Sequence, residues 1–263
     1  MIGVVLVRRG DNPELRYAMR SWAANVPGIT GLIALGMPPD WVKAQKVLTP
    51  QSLTKYANTT NGLLYACHRR LLPKEFVLLN DDFFALRKDA LLPVWHRGPM
   101  LGVVDEYRRR GINSSYVRGM EATANALIRD GYDEPLCYEV HAPMVVDRDL
   151  LAQVLRRYST DKSIRVLHKR SAYGNVAAIG GVQVEDVKIR TPQEAATSGV
   201  PLHPEWNGKL PDLEWVSTSD EVWAAGAGSL IMSRFPTPSP WESNPNVRQG
   251  LTSPGKVRRS PLR

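Results

Sequence analysis

The chain is 263 residues long and 43% hydrophobic, with two cysteines and a net charge of +8. That length and apolar share build a full core and exclude disorder of the whole chain, while two cysteines exclude a disulfide framework or a cysteine metal cage. No apolar run nears the roughly 18 residues of a membrane span, and Ile2 to Val7 is too short for a signal segment, so a cytoplasmic setting is expected.

Residues Ile2 to Val7 read as a first strand and Arg8 to Asp11 as a turn. Asn12 then offers a helix N-cap, Pro13 takes the first helical position, and Glu14 suits the positive end of the helix. Leu15, Met19, Trp22 and Val26 form one apolar face, and Pro27-Gly28 stops the helix. Gly31 to Gly36 is a second buried strand, followed by a stiff loop through Pro38, Pro39 and Trp41. Strand, helix, strand with short joints opens a doubly wound α/β fold with a mainly parallel sheet. A further helix is expected from about Ser52 to Leu72, with a weak point near Asn58 and with Leu64, Cys67 and Leu71 facing inward.

The stretch Glu75 to Phe84 is the centre of the chain. Phe76 to Leu79 is a continuous apolar run, the pattern of a strand buried on both faces. Asn80, Asp81 and Asp82 follow at its carboxyl end, where open α/β sheets bind ligands. Two adjacent carboxylates beside aromatic residues repel each other and resist burial, and a divalent cation relieves both costs. The other reading is a solvated acidic turn. No glycine-rich dinucleotide or P-loop pattern follows any strand.

Leu86 to Arg118 is less regular and basic, with Arg87, Lys88, Arg97, Arg108, Arg109, Arg110 and Arg118. It suits either a flap over an anionic substrate or a solvated helix face. Gly119 to Arg129 reads as a helix with Met120, Ala124, Leu127 and Ile128 inward. Tyr138 to Val146 reads as a short strand running into a loop, and Asp147 as the cap of a helix burying Leu150, Leu151, Val154, Leu155 and Tyr158. Gly180 to about Leu213 reads as loop with a short hairpin, and Ser219 to Ser233 as a last helix or strand. After Glu242, the last acidic residue, come Arg248, Lys256, Arg258, Arg259 and Arg263, five of the eight net charges. Residues 1–242 are therefore expected to form one domain and 243–263 a disordered basic tail. The modestly basic body suits a protein that handles a phosphorylated small molecule.

Four separated stretches carry a family resemblance. Asp11 to Ser21 (Asp-Asn-Pro-Glu-Leu-Arg-Tyr-Ala-Met-Arg-Ser), with Pro39-Asp40-Trp41 after it, resembles the first block of the Stealth-type sugar-phosphate transferases. That family includes bacterial capsule polymerases and the lysosomal-enzyme N-acetylglucosamine-1-phosphotransferase. Phe76 to Phe83, His141-Ala142-Pro143, and Arg170-Ser171 through Asn175 resemble its later blocks, in order. The ending Phe235 to Glu242 is similar to small glycosyltransferases of tailed actinobacterial phages, which would place the protein in a host cytoplasm. The chain departs from the family at its start, where Val4 to Gly10 stands in place of the usual opening segment.

The resemblance implies a GT-A-like, Rossmann-type fold with a nucleotide-sugar donor and a glycan or protein acceptor. It also implies Mn²⁺ or Mg²⁺, hard ions suited to oxygen ligands. Asp81 and Asp82 are the candidate ligands, with Asp82 favoured, and both can face one ion only if the strand ends or bulges there. Asn80 is a candidate for a sugar hydroxyl. His141 is a candidate base for the acceptor hydroxyl, with a strand-end structural histidine as the other reading and Glu139 as a rival base. Arg16, Arg20 and Arg170 are candidates for the donor phosphates, because a guanidinium binds phosphate bidentately. Asn58, Asn61, Tyr173 and Asn175 are candidates for the sugar site. Two reactions fit these residues, transfer of the sugar itself or of sugar-1-phosphate. A third reading, a nucleic-acid- or virion-associated protein using the basic tail, leaves Asp81, Asp82 and His141 without a role.

Overall fold

The apolar runs of the sequence conceal a two-residue alternation that builds two cores at once. In β1 (Ile2–Val7) and β4 (Glu75–Asn80), Val4, Leu6, Phe76 and Leu78 enter one core, and Val5, Val7, Val77 and Leu79 enter the other. Successive strand side chains point to opposite faces, so a strand covered on both sides must be apolar throughout. The structure, a computed structural model, describes residues 1–7, 12–51, 53–194 and 204–243. The expected turn at Arg8 to Asp11 and all but the first residue of the expected tail lie outside them.

The main sheet has the order β3-β2-β1-β4-β7, with β2 at Gly31–Gly36, β3 at Gln45–Leu48 and β7 at Met144–Asp147. β1 is parallel to β2 and β4, β2 is parallel to β3, and β7 alone runs antiparallel, beside β4. The result is the mixed α/β architecture with a mainly parallel central sheet flanked by helices that the sequence indicated. β3 had no recognised signal, being short and exposed at every position but Val47.

Helix α1 (Pro13–Asn25) covers one face. Asn12 caps it by accepting from Leu15 N at 3.0 Å, and Leu15, Met19 and Trp22 are fully buried. Each such side chain contributes about 1.5–3 kcal/mol relative to exposure. The other face is covered by α2 (Lys55–His68), α3 (Met100–Arg109), α4 (Ser115–Arg129) and α5 (Arg148–Ser159). Helix α2 runs unbroken through Asn58, and Leu63, Ala66 and Cys67 face the core while Leu71 lies outside. Within the basic stretch before Arg118, Met100–Arg109 forms helix α3 and Ser115 opens α4, so Arg108 and Arg109 lie on a helix. Two arginines here bond to protein carboxylates, Arg108 to Glu121 at 2.6 Å and Arg110, which follows the helix, to Glu106 at 3.0 Å. Ile128 of α4 is exposed.

A smaller sheet, β5-β10-β9, continues from the strand end. It joins β5 (Phe83–Ala85) antiparallel to β10 (Trp215–Thr218), and β9 (Lys188–Ile189) parallel to β10. No hairpin forms between Gly180 and Leu213 among the described residues. Instead β8 (Val182–Gln183) pairs in parallel with β6 (Trp95–His96). The last segment is helical, from Asp220 through a wide turn at Trp223–Ala227, where Gly226 takes φ 123°, to α7 (Gly228–Arg234). Helix α6 (Lys169–Val176) is seated by a close approach, since a Cβ on Gly119 would lie 2.4 Å from the Val166 carbonyl just before it.

Candidate active site

Strand β4 ends at Asn80, so Asp81 and Asp82 leave the pleat as a turn and both line one cleft. Around them lie the first turns of α1, α2, α4 and α6, the loop before β7, β9, and the residues that follow β10. The cleft encloses about 430 Å³ at the carboxyl end of β1 and β4.

One end of the cleft is acidic. Asp82 Oδ2 accepts from Lys188 Nζ at 3.0 Å and from Ser217 Oγ at 2.8 Å. Burial alone would raise the Asp82 carboxyl, but Lys188, His141 and the Ser217 hydroxyl outweigh it and hold the group below the usual range. Asp82 Oδ1 is buried with no hydrogen-bond partner. Asn12 Nδ2 donates to Asp81 Oδ2, so the residue that caps α1 also fixes this carboxylate. Glu14, 6% exposed, accepts from Thr218 Oγ1 at 3.0 Å. Burial, with the charge of Asp82, pushes its carboxyl up to about 7 against the Thr218 hydrogen bond, and Asp81 and Asp220 push the same way.

His141 lies in the loop before β7, at φ 51°, and the expected strand over Tyr138 to Pro143 is absent. Only a few per cent of residues other than glycine take positive φ. Its Nδ1 donates to Asp186 at 2.8 Å. In the neutral ring that bond leaves Nε2 as the lone-pair nitrogen, in a side chain that lines the cleft. Asp186 is buried, which raises its carboxyl, but His141, Arg190 and Arg97 reverse that and hold it well below the carboxylate range. Arg190 Nη2 and Lys188 N, both at 3.2 Å, complete its shell.

The other end of the cleft is basic. Arg170 is 5% exposed and its guanidinium is spent on the protein, donating to Ala142 O at 2.8 Å and Asn80 Oδ1 at 3.1 Å, with Phe83 beneath it. Lys169, beside it, makes no hydrogen bond or ion pair among the described residues. Burial pulls its ammonium down to about 8, opposed by Glu139 and reinforced by Arg170. Glu139 Oε1 sits at the start of α6, accepting from Ser171 N and Oγ at 3.4 Å. Burial raises Glu139, but His168, Lys169, Arg170 and His141 together bring it below the usual range, which makes it a weak base.

Asp81, Asp82, Asn80, Glu139, His141 and Arg170 are thus brought to one cleft, and the other candidates are not. Arg16 and Arg20 reach Glu242 at 2.8 and 2.9 Å, and Arg20 also binds the Phe235 and Pro236 carbonyls. They fasten residues 235–242 to α1 and have no place among the cleft side chains. Asn58 is engaged with the backbone of Leu53, Asn61 is exposed on α2, and Asn175 binds the backbone of Leu136 and Ser171. The Tyr173 hydroxyl accepts from Asp147 N at 2.7 Å.

Sequence reasoning missed Asp186, Lys188, Lys169 and the burial of Glu14. One signal was present, since Asp186-Val187-Lys188-Ile189-Arg190 alternates polar and apolar, with Val187 and Ile189 buried. That pattern places Asp186, Lys188 and Arg190 on one face.

Among the described residues no group of three His, Cys, Asp or Glu side chains could hold a metal ion by itself. The donor set still fits one hard divalent ion. Asp82 Oδ1 is a buried carboxylate oxygen without a partner, Asp81 lies next to it, and Mg²⁺-type ions commonly take the rest of their ligands from substrate phosphates and water.

No protein-family model matches the sequence, and no curated protein matches it. Among solved structures the chain is similar to the galactosyltransferase LgtC in complex with donor and acceptor sugar analogues, at 10% identity over 90% of this chain and 97% of that one, TM-score 0.45. An active-site variant of LgtC gives 11% identity over the same shares and a TM-score of 0.44. The apo-form glycosyltransferase GlyE of Streptococcus pneumoniae TIGR4 gives 11% identity over 91% of this chain and 65% of that one, TM-score 0.40. Likeness at this level carries no statement about activity.

Proposed function

We propose that the chain is a GT-A-like glycosyltransferase, dependent on a divalent metal, that moves a sugar from a nucleotide-sugar to a hydroxyl acceptor. The observation that carries this reading is the convergence of Asp81, Asp82 and an Asp186-oriented His141 in one cleft at the carboxyl end of a parallel sheet.

Asp82 Oδ1 and Asp81 would hold Mn²⁺ or Mg²⁺, which when bound neutralises charge building on the leaving phosphate. Lys188 keeps Asp82 ionised, and Asn12 fixes Asp81. Arg170 orients Asn80 toward a sugar hydroxyl, and its own role is positioning rather than phosphate binding. His141 takes the acceptor hydroxyl proton at Nε2, while Asp186 selects the tautomer and stabilises the imidazolium that forms. The acceptor oxygen bonds to the anomeric carbon, the bond from that carbon to the phosphate oxygen breaks, and a nucleoside diphosphate leaves.

The four ordered motif stretches favour a second reading, transfer of sugar-1-phosphate by the same residues. The acceptor oxygen then attacks the sugar-bearing phosphorus and a nucleoside monophosphate leaves. Incubation with a panel of nucleotide-sugars, Mn²⁺ and candidate acceptors separates the two by the nucleotide released. Release of neither nucleotide across the panel would overturn both.

A further inference from the structure

The basic end of the cleft contains a recognition set that the reactions above leave unused. Three aromatic side chains run in a row from α2 to α6. The Tyr56 and Tyr116 ring centroids are 6.4 Å apart, and Tyr116 lies 4.4 Å from His168 in edge-on contact. All three line the cleft with Lys169. Among the described residues the Tyr56 and Tyr116 hydroxyls and the Lys169 ammonium have no hydrogen-bond partner. His168 is a second, independent sign. Its side chain is 2% exposed and its Nε2 donates to the Tyr116 carbonyl at 2.9 Å. That bond makes Nδ1 an acceptor, and Nδ1 is buried with no partner, 3.7 Å from Glu139 Oε1.

Of these atoms His168 Nδ1 is buried, and a buried polar atom without a partner is rare in a folded chain and costs free energy until something satisfies it. An ammonium and two phenols donate, so they call for an anion. His168 Nδ1 and Glu139 accept, so they call for hydroxyl donors. A neutral sugar would satisfy only the second pair and leave the Lys169 ammonium without a hydrogen-bonded anion. A sugar with a phosphate or carboxylate satisfies both.

We propose that this lobe, formed by Tyr56, Tyr116, Glu139, His168 and Lys169, binds an acidic sugar unit of the acceptor, phosphorylated or carboxylated. The assignment of the unit to the acceptor rests on the transferase reading, in which the donor diphosphate occupies the opposite end beside Asp81 and Asp82. Arg170 lies between the two ends with its donors directed to Asn80 and Ala142. The lobe therefore recognises its anion without a metal ion.

Calorimetric titration of the full chain in EDTA tests this with glucose 6-phosphate, glucuronate and glucose as probes. An acidic sugar should bind, with glucose at least about ten-fold weaker. The stronger of the two acidic probes tells phosphate from carboxylate. Lys169→Gln should weaken that binding at least about ten-fold, and Lys169→Arg should keep it. Asp82→Asn should leave it unchanged while abolishing Mn²⁺-dependent nucleotide-sugar binding. Equal affinity for glucose, no binding of either acidic sugar, or full binding by Lys169→Gln would overturn the proposal. So would displacement of the acidic sugar by uridine diphosphate in EDTA, since the lobe would then be a donor phosphate site. If the acidic sugars bind as expected and no nucleotide-sugar binds with Mn²⁺, the transferase reading fails and the lobe's ligand class stands.

Discussion

Arg16 and Arg20 on α1 and Lys169 at the start of α6 are all cations packed against protein, but their surroundings differ. Glu242, itself 5% exposed, answers both arginines, and the Phe235 and Pro236 carbonyls take further donors of Arg20. Lys169 has no hydrogen bond or ion pair among the described residues, and burial, only partly opposed by Glu139, pulls its ammonium down to about 8. A cation whose contacts are completed by its own chain holds the fold together. One left incomplete in a cleft costs the fold stability and is available to a ligand. Charge alone does not separate the two cases, which is why the sequence offered Arg16 and Arg20 as phosphate ligands and passed over Lys169.

Asp82 belongs to both classes, and a variant there breaks the comparison most sharply. One of its oxygens is completed by Lys188 and Ser217, and the other has no partner. Asp82→Asn keeps the shape and the Ser217 contact and removes the charge. Turnover of the nucleotide-sugar should fall about 10³-fold, the scale for removing one electrostatic contact to a transition state, and the melting temperature should fall as well, because Lys188 loses its charged partner. A loss below about ten-fold in steady-state assays would take Asp82 out of the chemistry.

Glu242→Ala tests the completed side. Two arginines would be left facing a buried gap, so urea unfolding should show a loss of about 3 kcal/mol, with acidic-sugar binding in the cleft unchanged. A loss under about 1 kcal/mol would class the contact with surface ion pairs.

Glu14 is the acidic counterpart of Lys169. Its carboxyl is raised from 4.5 to about 7 in the fold, first by burial and then by Asp82, so the folded chain holds a proton that the unfolded chain releases. Its contribution is therefore favourable at low pH and is lost as pH rises from about 4.5 through about 7. Glu14→Gln should raise the melting temperature at pH 8, by up to about 3 kcal/mol of stability, and change it little at pH 4. An unchanged difference between the two pH values would refute the shift. The smallest effect is expected from Lys169→Met, which removes a desolvated ammonium. It should leave stability at pH 7 unchanged or raise it by about 1 kcal/mol, and a clear loss in thermal melts would mean that Lys169 has a structural partner.

What the sequence made legible was local. The Asn12 cap, the Pro13 start and the Leu15-Met19-Trp22 face lie within a few turns of chain, and α1 follows them. The run Phe76 to Leu79 announces a strand buried on both faces because both faces are covered. The acidic pair after it is at the cleft for the reason that a parallel sheet leaves its carboxyl ends open. What was not legible depends on distance along the chain. Lys188 meets Asp82 across 106 residues, and Arg20 meets Glu242 across 222. Asp186 reaches His141 from a stretch with weak overall periodicity, and only its short alternation pointed to a strand face. Asn58 and Asn175 looked like sugar contacts because a polar side chain that binds backbone is indistinguishable in sequence from one that binds ligand.

The Arg16–Glu242 contact closes a separation of 226 residues, which has a consequence for the nascent chain. A ribosome adds roughly 5–20 residues per second, so α1 emerges roughly ten to forty-five seconds before its carboxylate partner exists. During that interval the helix has its own cap and apolar face but no fastening on its outer side. Translation must pass Ser239 and Glu242 before residues 235–242 can be drawn down, and so α1 is capped and has its apolar face well before its fastening can form.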